Sequence, residues 1–167
     1  MEQVIASPKQ MFLEQFVNEH ATTMKVLRAF PASQGDFRPH PRSNTARDLA
    51  WAFVAEQALL SMAMTDTLKI TGAFPKPEGD FSAIVNRFDK EFKGLVELIK
   101  KTPDSRFNDG TVNFFVAPKT MGDIPVTQFC WFTLCDQIHH RGQLSVYVRM
   151  AGGKVPSIYG PSADEPW

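Results

Sequence analysis

Apolar residues recur at helical spacing in four long segments, which are separated by segments rich in proline and glycine. The pattern predicts a first helix from about Pro8 to Ala29. It predicts a third helix from about Phe81 to Lys101, with Asp80 or Ser82 as its N-cap. Each helix presents one apolar side, so both are expected to pack against a common core.

The second and fourth helices are bounded by weaker signals. The second follows the residues PHPRSNT, where Ser43 or Asn44 can accept a backbone N–H as a cap, and we expect it to end at Gly72. The fourth is expected to begin near Ile124-Pro125, since proline is tolerated in a first turn, and to end at Gly152-Gly153.

The segment between Pro103 and Pro125 contains TVNFFV, which has the composition of a short strand. No partner strand is evident, so we interpret this segment as a long ordered loop before the last helix. With no repeat or linker in the sequence, the prediction is one all-α domain over residues 1–167, a four-helix bundle.

Charge and composition exclude some functions. Lys plus Arg and Asp plus Glu both number 18, so no basic field attracts nucleic acid. The N-terminus lacks a secretory signal pattern, and no stretch of about 18 apolar residues is present. We therefore expect a cytoplasmic protein that contacts neither nucleic acid nor membrane.

The first half of the fourth helix is apolar on nearly every side, with the sequence FCWFTLC from position 129. A helix of this kind is normally covered by other elements, and a second subunit is the simplest cover. The sequence thus predicts a homodimer. Cys130 and Cys135 point to different faces of this helix, and we expect two buried thiols rather than a disulfide.

The face of the fourth helix that carries chemistry is defined by residues at helical spacing: Phe129, Phe132, Asp136, His140, Gln143 and Tyr147. Asp136 and His140 lie one turn apart, which is a common way to offer two ligands to one metal ion. Tyr147 on the same face is a candidate catalytic residue that would hydrogen-bond a substrate.

Glu56 lies in the middle of the apolar face of the second helix, and His20 holds a similar place on the first helix. An unpaired carboxylate in an apolar core costs several kcal/mol, so Glu56 needs a cation, a protonated histidine or a proton. Glu56 is thus a candidate metal ligand or catalytic residue. Equally, these groups could form a satisfied buried network without chemistry.

Two further polar residues follow in the same helix. His139 points about 100° away from His140, which favours a surface or interface position. Arg141 is expected to pair with an acid or a helix end rather than to act in catalysis.

The run IHHRGQLSVYVRMAGGKVPSIYGPSADE, residues 138–165, resembles the C-terminal signature of the DinB-like proteins, which are bacterial helical bundles. ATTMKVL and SNTARDLAW add weaker similarities elsewhere in the chain. The resemblance implies an up-up-down-down bundle, usually dimeric, and a link to damage or stress responses. In many members three histidines bind a divalent metal, and some are bacillithiol- or mycothiol-dependent S-transferases or isomerases.

This sequence departs from the family pattern at the implied ligands. His140 matches one histidine, but Asp136 replaces the second, and Ala52 stands where the second helix would supply the third. Glu56 follows Ala52 by one turn, so a rebuilt Glu56, Asp136 and His140 site is conceivable. Its two oxygens and one nitrogen would suit zinc, nickel, manganese or iron.

The tail VPSIYGPSADEPW is expected to form a loop whose Ile158, Tyr159 and Trp167 pack back on the bundle, where they could wall a pocket. Three functions stay open. The first is a metal-dependent thiol S-transferase or hydrolase acting on a small electrophile. The second is a non-catalytic module binding a small molecule in the bundle pocket, and the third is a structural dimer.

Overall fold

The computed structural model describes residues 6–70 and 75–167. Over these ranges the protein is mostly helical, with one small two-stranded sheet. The elements in chain order are α1 Pro8–Ala29, a 3-10 turn Ala32–Gln34, α2 Ala46–Met64, α3 Phe81–Lys101, α4 Asp104–Asp109, β1 Thr111–Ala117, β2 Thr120–Pro125 and α5 Val126–Met150. The predicted first and third helices are confirmed, and α5 is the predicted fourth.

The helix starts follow from local capping. Asp80 caps α3 by accepting from the Ala83 backbone N–H, as one of the two predicted alternatives. The cap of α2 is Thr45 rather than Ser43 or Asn44. Thr45 and Asp48 form a reciprocal capping box, which satisfies two backbone donors at once and so outcompetes a simple serine cap.

The end of α2 also differs from the expectation. The helix ends at Met64, ahead of the predicted Gly72, and Gly72 itself lies outside the described residues. Asp66 takes a positive φ of 58°, which turns the chain away from the helix axis. An aspartate tolerates this left-handed conformation better than most residues do.

The four long helices pack side by side, with α1 and α2 each contacting both α3 and α5. Two buried apolar clusters fill the space between them. One cluster is centred on Leu27, Phe53 and Phe88, and the other on Phe12, Phe16 and Phe129. Among the described residues, no helix is long and apolar enough to cross a membrane.

The segment before α5 is not a loop, as the sequence indicated, but an antiparallel hairpin. β1 pairs with β2 from Thr111 opposite Pro125 to Ala117 opposite Thr120, with an irregularity after Phe115. The buried residues Val112 and Phe114 of β1 attach the hairpin to the second cluster. The short helix α4, which the sequence did not predict, precedes the hairpin.

Both cysteines are free, in agreement with the prediction, but their environments differ. Cys130 is buried, and burial raises the pKa of its thiol to about 12. Cys135 is exposed, so the expectation of two buried thiols is wrong for this residue. The reason is that the Cys135 side of α5 faces away from the other helices.

Arg141 forms the most deeply buried ion pair of the described chain, which confirms its structural role. Its side chain is 1% exposed and its guanidinium contacts the carboxylate of Glu19 on α1. The Tyr159 hydroxyl donates to Glu19 Oε2 over 2.8 Å and also contacts Arg141. The tail is thereby fixed to α1 and α5.

Other tail residues meet the prediction only in part. Ile158 packs against the first apolar cluster, but Trp167 is 85% exposed, so its predicted packing is wrong. The Trp167 indole instead donates to Ser157 Oγ over 3.0 Å. This ring lies in the irregular tail beyond Ile158 and Tyr159, the residues that hold the tail against the helices.

Replacing Arg141 tests the buried pair. We expect Arg141→Ala to lower the free energy of unfolding by about 3–5 kcal/mol, because it leaves the Glu19 carboxylate buried without a cation. Arg28→Ala is the matched control, since Arg28 makes an exposed pair with Asp89, and its cost should stay below about 1 kcal/mol. Urea unfolding measures both, and equal costs would contradict this role.

Candidate metal centre

The candidate centre lies between α2 and α5, where three of the residues singled out by sequence converge. Glu56 projects from the middle of α2, and Asp136 and His140 project from successive turns of α5. One ligand atom from each residue lies within 4.8 Å of the other two. Spacing along two packed helices therefore creates a compact group of two carboxylates and an imidazole.

The closest contact in this group joins Glu56 Oε1 and His140 Nδ1, which are 2.9 Å apart. The Nδ1 atom is nevertheless without a well-directed hydrogen bond, so the contact is an ion pair of poor alignment. His140 Nε2 lies 3.9 Å from Asp136 Oδ1. The imidazole thus stands between the two acids.

Glu56 is the least satisfied member of the group. Its side chain is buried, and its Oε2 atom has no hydrogen-bond partner among the described residues. A buried polar atom without a partner is costly and marks a place where an ion, a proton or a polar ligand belongs.

Burial and proximity shift the titration of this pair. Burial raises the pKa of Glu56 to about 7, although the contact with His140 opposes the shift. Burial alone would lower the pKa of His140, but the contact with Glu56 and the charges of Glu56 and Asp136 outweigh it and raise the pKa. Glu56 therefore changes protonation around neutral pH.

A cavity of about 400 Å³ opens beside the group. Its volume is within the range of small-molecule sites. Most of the wall is apolar and is formed by Trp51, Ala52, Ala55, Leu59, Phe114, Phe115 and Phe132. The remaining wall residues are Asp48, Thr133 and the three members of the candidate centre. Chemistry at the centre would thus take place in an apolar surrounding.

The donor set fits a divalent cation of intermediate hardness. Zinc, manganese and iron accept carboxylate oxygen together with imidazole nitrogen, and Glu56 Oε2 offers an uncommitted oxygen. Three protein ligands leave coordination positions free for water or substrate, as catalytic metal sites do.

Comparison with known proteins identifies the family to which this architecture belongs. The sequence profile of the DinB family matches residues 2–166. The chain belongs to the DinB family. It is 25% identical over 160 residues to YrdA, an uncharacterised protein of Bacillus subtilis, and the match covers 92% of this chain and 89% of that relative.

Solved structures of DinB-like proteins share the fold. One from Bacillus cereus superposes with a TM-score of 0.69 at 25% identity, covering 89% of this chain and 95% of that one. Another, YjoA of Bacillus subtilis, has a TM-score of 0.65 at 14% identity and covers 94% of this chain and 96% of its own. The likeness to YjoA concerns the fold alone.

Within this DinB-family chain, Ala52 lines the cavity next to the three candidate ligands. The position at which the resemblance implies a histidine therefore faces the right space, although alanine offers no ligand atom there. Glu56, one turn further along α2, supplies a carboxylate to the same space.

Other candidates from the sequence lie elsewhere. Tyr147 is buried away from the cavity, and its hydroxyl donates to the Asn44 carbonyl over 3.0 Å. His20 stacks on Phe92 with ring centroids 3.5 Å apart, and the exposed His139 contacts Gln143. None of these residues joins the candidate centre, and the tail does not wall the cavity.

Sequence reasoning missed the cavity residues of the hairpin. Phe114 and Phe115 come from β1 and line the cavity, and the Phe114 ring contacts Phe132 of α5 with centroids 5.8 Å apart. The alternation within TVNFFV was the available signal, because Val112 and Phe114 are buried while their neighbours Thr111 and Asn113 are exposed.

The titration of the pair gives a direct test in metal-free protein. Carbon-13 NMR should show the Glu56 carboxyl titrating near 7 rather than near 4.5, with the resonance identified by its loss in Glu56→Gln. Glu97 provides an internal reference, since Lys100 holds the pKa of this exposed carboxyl below its usual range.

Stability should follow the same titration. Folded-state pKa values above the unfolded ones mean that the stabilising contributions of Glu56 and His140 are present at low pH and lost as pH rises. The free energy of unfolding should thus fall more steeply in the wild type than in Glu56→Gln between about pH 4.5 and about pH 7, which are the ordinary and the raised pKa of Glu56. Parallel pH profiles of the wild type and Glu56→Gln would contradict the raised pKa values of Glu56 and His140.

Proposed function

We propose that this DinB-family protein binds a divalent metal ion through Glu56, Asp136 and His140 and acts on a small apolar molecule held in the adjoining cavity. The observation that supports this most is the buried Glu56 carboxylate, whose Oε2 has no partner among the described residues while it stands beside an imidazole. The ion would be zinc, nickel, manganese or iron.

The role of each residue in this proposal follows from its position. Asp136 and His140 hold the ion from α5, and Glu56 closes the set from α2. A bound divalent ion would supply Lewis-acid chemistry, which lowers the pKa of a thiol or of water. Trp51, Phe114 and Phe132 exclude bulk water and orient the molecule that reacts.

The reaction class we propose is attack of a thiol, or of water, on a small electrophile, in which the electrophile's leaving group departs with the proton of the thiol or water, as in the thiol-dependent members of the family. The alternative is a protein that binds a small molecule in the same cavity without turnover. Steady consumption of an aromatic electrophile and a small thiol, dependent on added metal and on His140, would support the enzyme. Binding without consumption would support the alternative.

Metal binding is the first property to measure. In calorimetric titrations with Zn²⁺ and Mn²⁺, we expect Glu56→Ala and His140→Ala to weaken binding by at least about a hundredfold, because each removes a ligand. His139→Ala is the matched control, since His139 is the exposed neighbour of His140 and should leave affinity unchanged.

Restoring a histidine provides the converse measurement. Ala52→His should tighten binding, because position 52 faces the same cavity and would add an imidazole. The metal proposal fails if neither ion binds the wild type or raises its melting temperature. It also fails if His139→Ala and His140→Ala reduce affinity equally.

We further propose that the four long helices form the up-up-down-down bundle of the family and that the protein is a homodimer through α5. Three large apolar side chains on the outer side of α5 support this: Phe132, Val146 and Met150 are 53%, 54% and 53% exposed. With Cys135 and His139 they lie on one face of α5, at successive intervals of three, four, seven and four residues, which suits a helix partner.

The dimer proposal predicts a change in mass in solution. Val146→Glu should convert the dimer to a monomer in sedimentation velocity, because a carboxylate would be buried without a partner at the interface. Val116→Glu is the control, since Val116 is similarly exposed on the hairpin rather than on α5. A wild type that sediments as a monomer, or a dimer unaffected by Val146→Glu, would reject this interface.

A further inference from the structure

The charges around the cavity are almost all of one sign. Three carboxylates, Asp48, Glu56 and Asp136, line it, and among the described wall residues His140 is the only basic group. No lysine or arginine contributes to the cavity wall formed by the described residues. An anionic molecule entering this space would lose its hydration without meeting a permanent cation.

Asp48 is the carboxylate not used in the proposed metal site. It lies on the cavity side of α2, eight residues before Glu56, which corresponds to about 12 Å along the helix axis. Its Oδ2 accepts from the Thr45 backbone N–H and hydroxyl at 3.1 and 2.6 Å. Its Oδ1 has no hydrogen-bond partner within the described ranges, so one oxygen is free to accept from a ligand.

A second observation indicates that the cavity receives a ligand. Glu56 is 6% exposed, belongs to the cavity wall, and keeps Oε2 without a partner within residues 6–70 and 75–167. The cavity wall also contains aromatic side chains, with Trp51, Phe114 and Phe115 among them. Aromatic faces attract cations, whereas they offer nothing to a carboxylate.

We propose that the cavity selects an apolar molecule bearing a protonated amine, whose body packs on the aromatic walls and whose ammonium group donates to Asp48. This inference rests on the proposed function, because it names the class of molecule on which that site acts. The opposite end of the molecule would then lie toward Glu56 and His140. Asp48 is the residue that determines specificity.

Two physical effects produce the selection. An ammonium group donates charge-assisted hydrogen bonds to Asp48 Oδ1, which are stronger than those of a neutral alcohol. A carboxylate of the same shape donates no hydrogen bond to Asp48 and is repelled by Asp48 and Asp136. Discrimination therefore comes from repulsion of anions as much as from attraction of amines.

The test compares three ligands with one apolar body: phenylbutylamine, phenylbutanol and phenylbutyrate. Calorimetry on the metal-free full chain should give an affinity for the amine that exceeds that for the alcohol by about tenfold and that for the acid by more. Asp48→Asn, which keeps an acceptor for Thr45, should remove most of this preference. Glu14→Gln makes the same charge change on the exposed side of α1 and should leave it intact.

Several outcomes would overturn the proposal. One is that phenylbutyrate binds as tightly as phenylbutylamine. Another is that Asp48→Asn and Glu14→Gln change the preference for the amine by the same amount. Ala55→Trp, which fills the cavity, should abolish binding of the amine, and retained binding would place the ligand elsewhere. Absence of binding by all three ligands would also reject it.

A parallel titration with Zn²⁺ separates this proposal from the metal proposal. Metal binding without a preference for the amine would overturn the specificity assigned to Asp48 and leave the metal site standing. A preference for the amine without metal binding would overturn the metal site and leave the specificity assigned to Asp48 standing.

Discussion

The need of a buried carboxylate for a counter-charge governs the interior of this protein. Taking an ionised acid out of water costs several kcal/mol unless a cation or hydrogen bonds replace the lost hydration. Glu19 and Glu56 are both buried and both incur this cost, but the groups that surround them differ. Glu19 receives Arg141 and the Tyr159 hydroxyl, whereas Glu56 receives only a poorly aligned imidazole.

That difference distinguishes a structural cluster around Glu19 from a candidate functional site around Glu56. Both oxygens of the Glu19 carboxylate have partners, because Arg141 and Tyr159 contact Oε2 and Gln15 Nε2 donates to Oε1, so the Glu19 cluster serves to hold α1, α5 and the tail together. Glu56 retains an oxygen without a partner among the described residues and adjoins a cavity. Residual bonding capacity beside open space is what distinguishes a site from a satisfied network.

Sequence pattern predicted the long helices because apolar spacing over about twenty residues is a strong signal. It failed on the hairpin, since β2 has the sequence TMGDIP and buries little, so nothing in it identified a partner for β1. The trio of Glu56, Asp136 and His140 could be found from spacing on two helices. Tyr147 was a misleading candidate for the site, because it shares the face of Asp136 and His140 but lies about 10 Å along α5 from His140.

The hairpin contributes two different kinds of side chain to the cavity wall. Phe114 is buried and packs on Phe129 of α5, whereas Phe115 is 45% exposed. The atoms that could ligate an ion come from α2 and α5. Substitutions of Phe115 should therefore disturb helix packing little, so the chain can change the shape of the cavity without rebuilding the candidate centre. Shape selectivity and reactivity can therefore evolve separately in this fold.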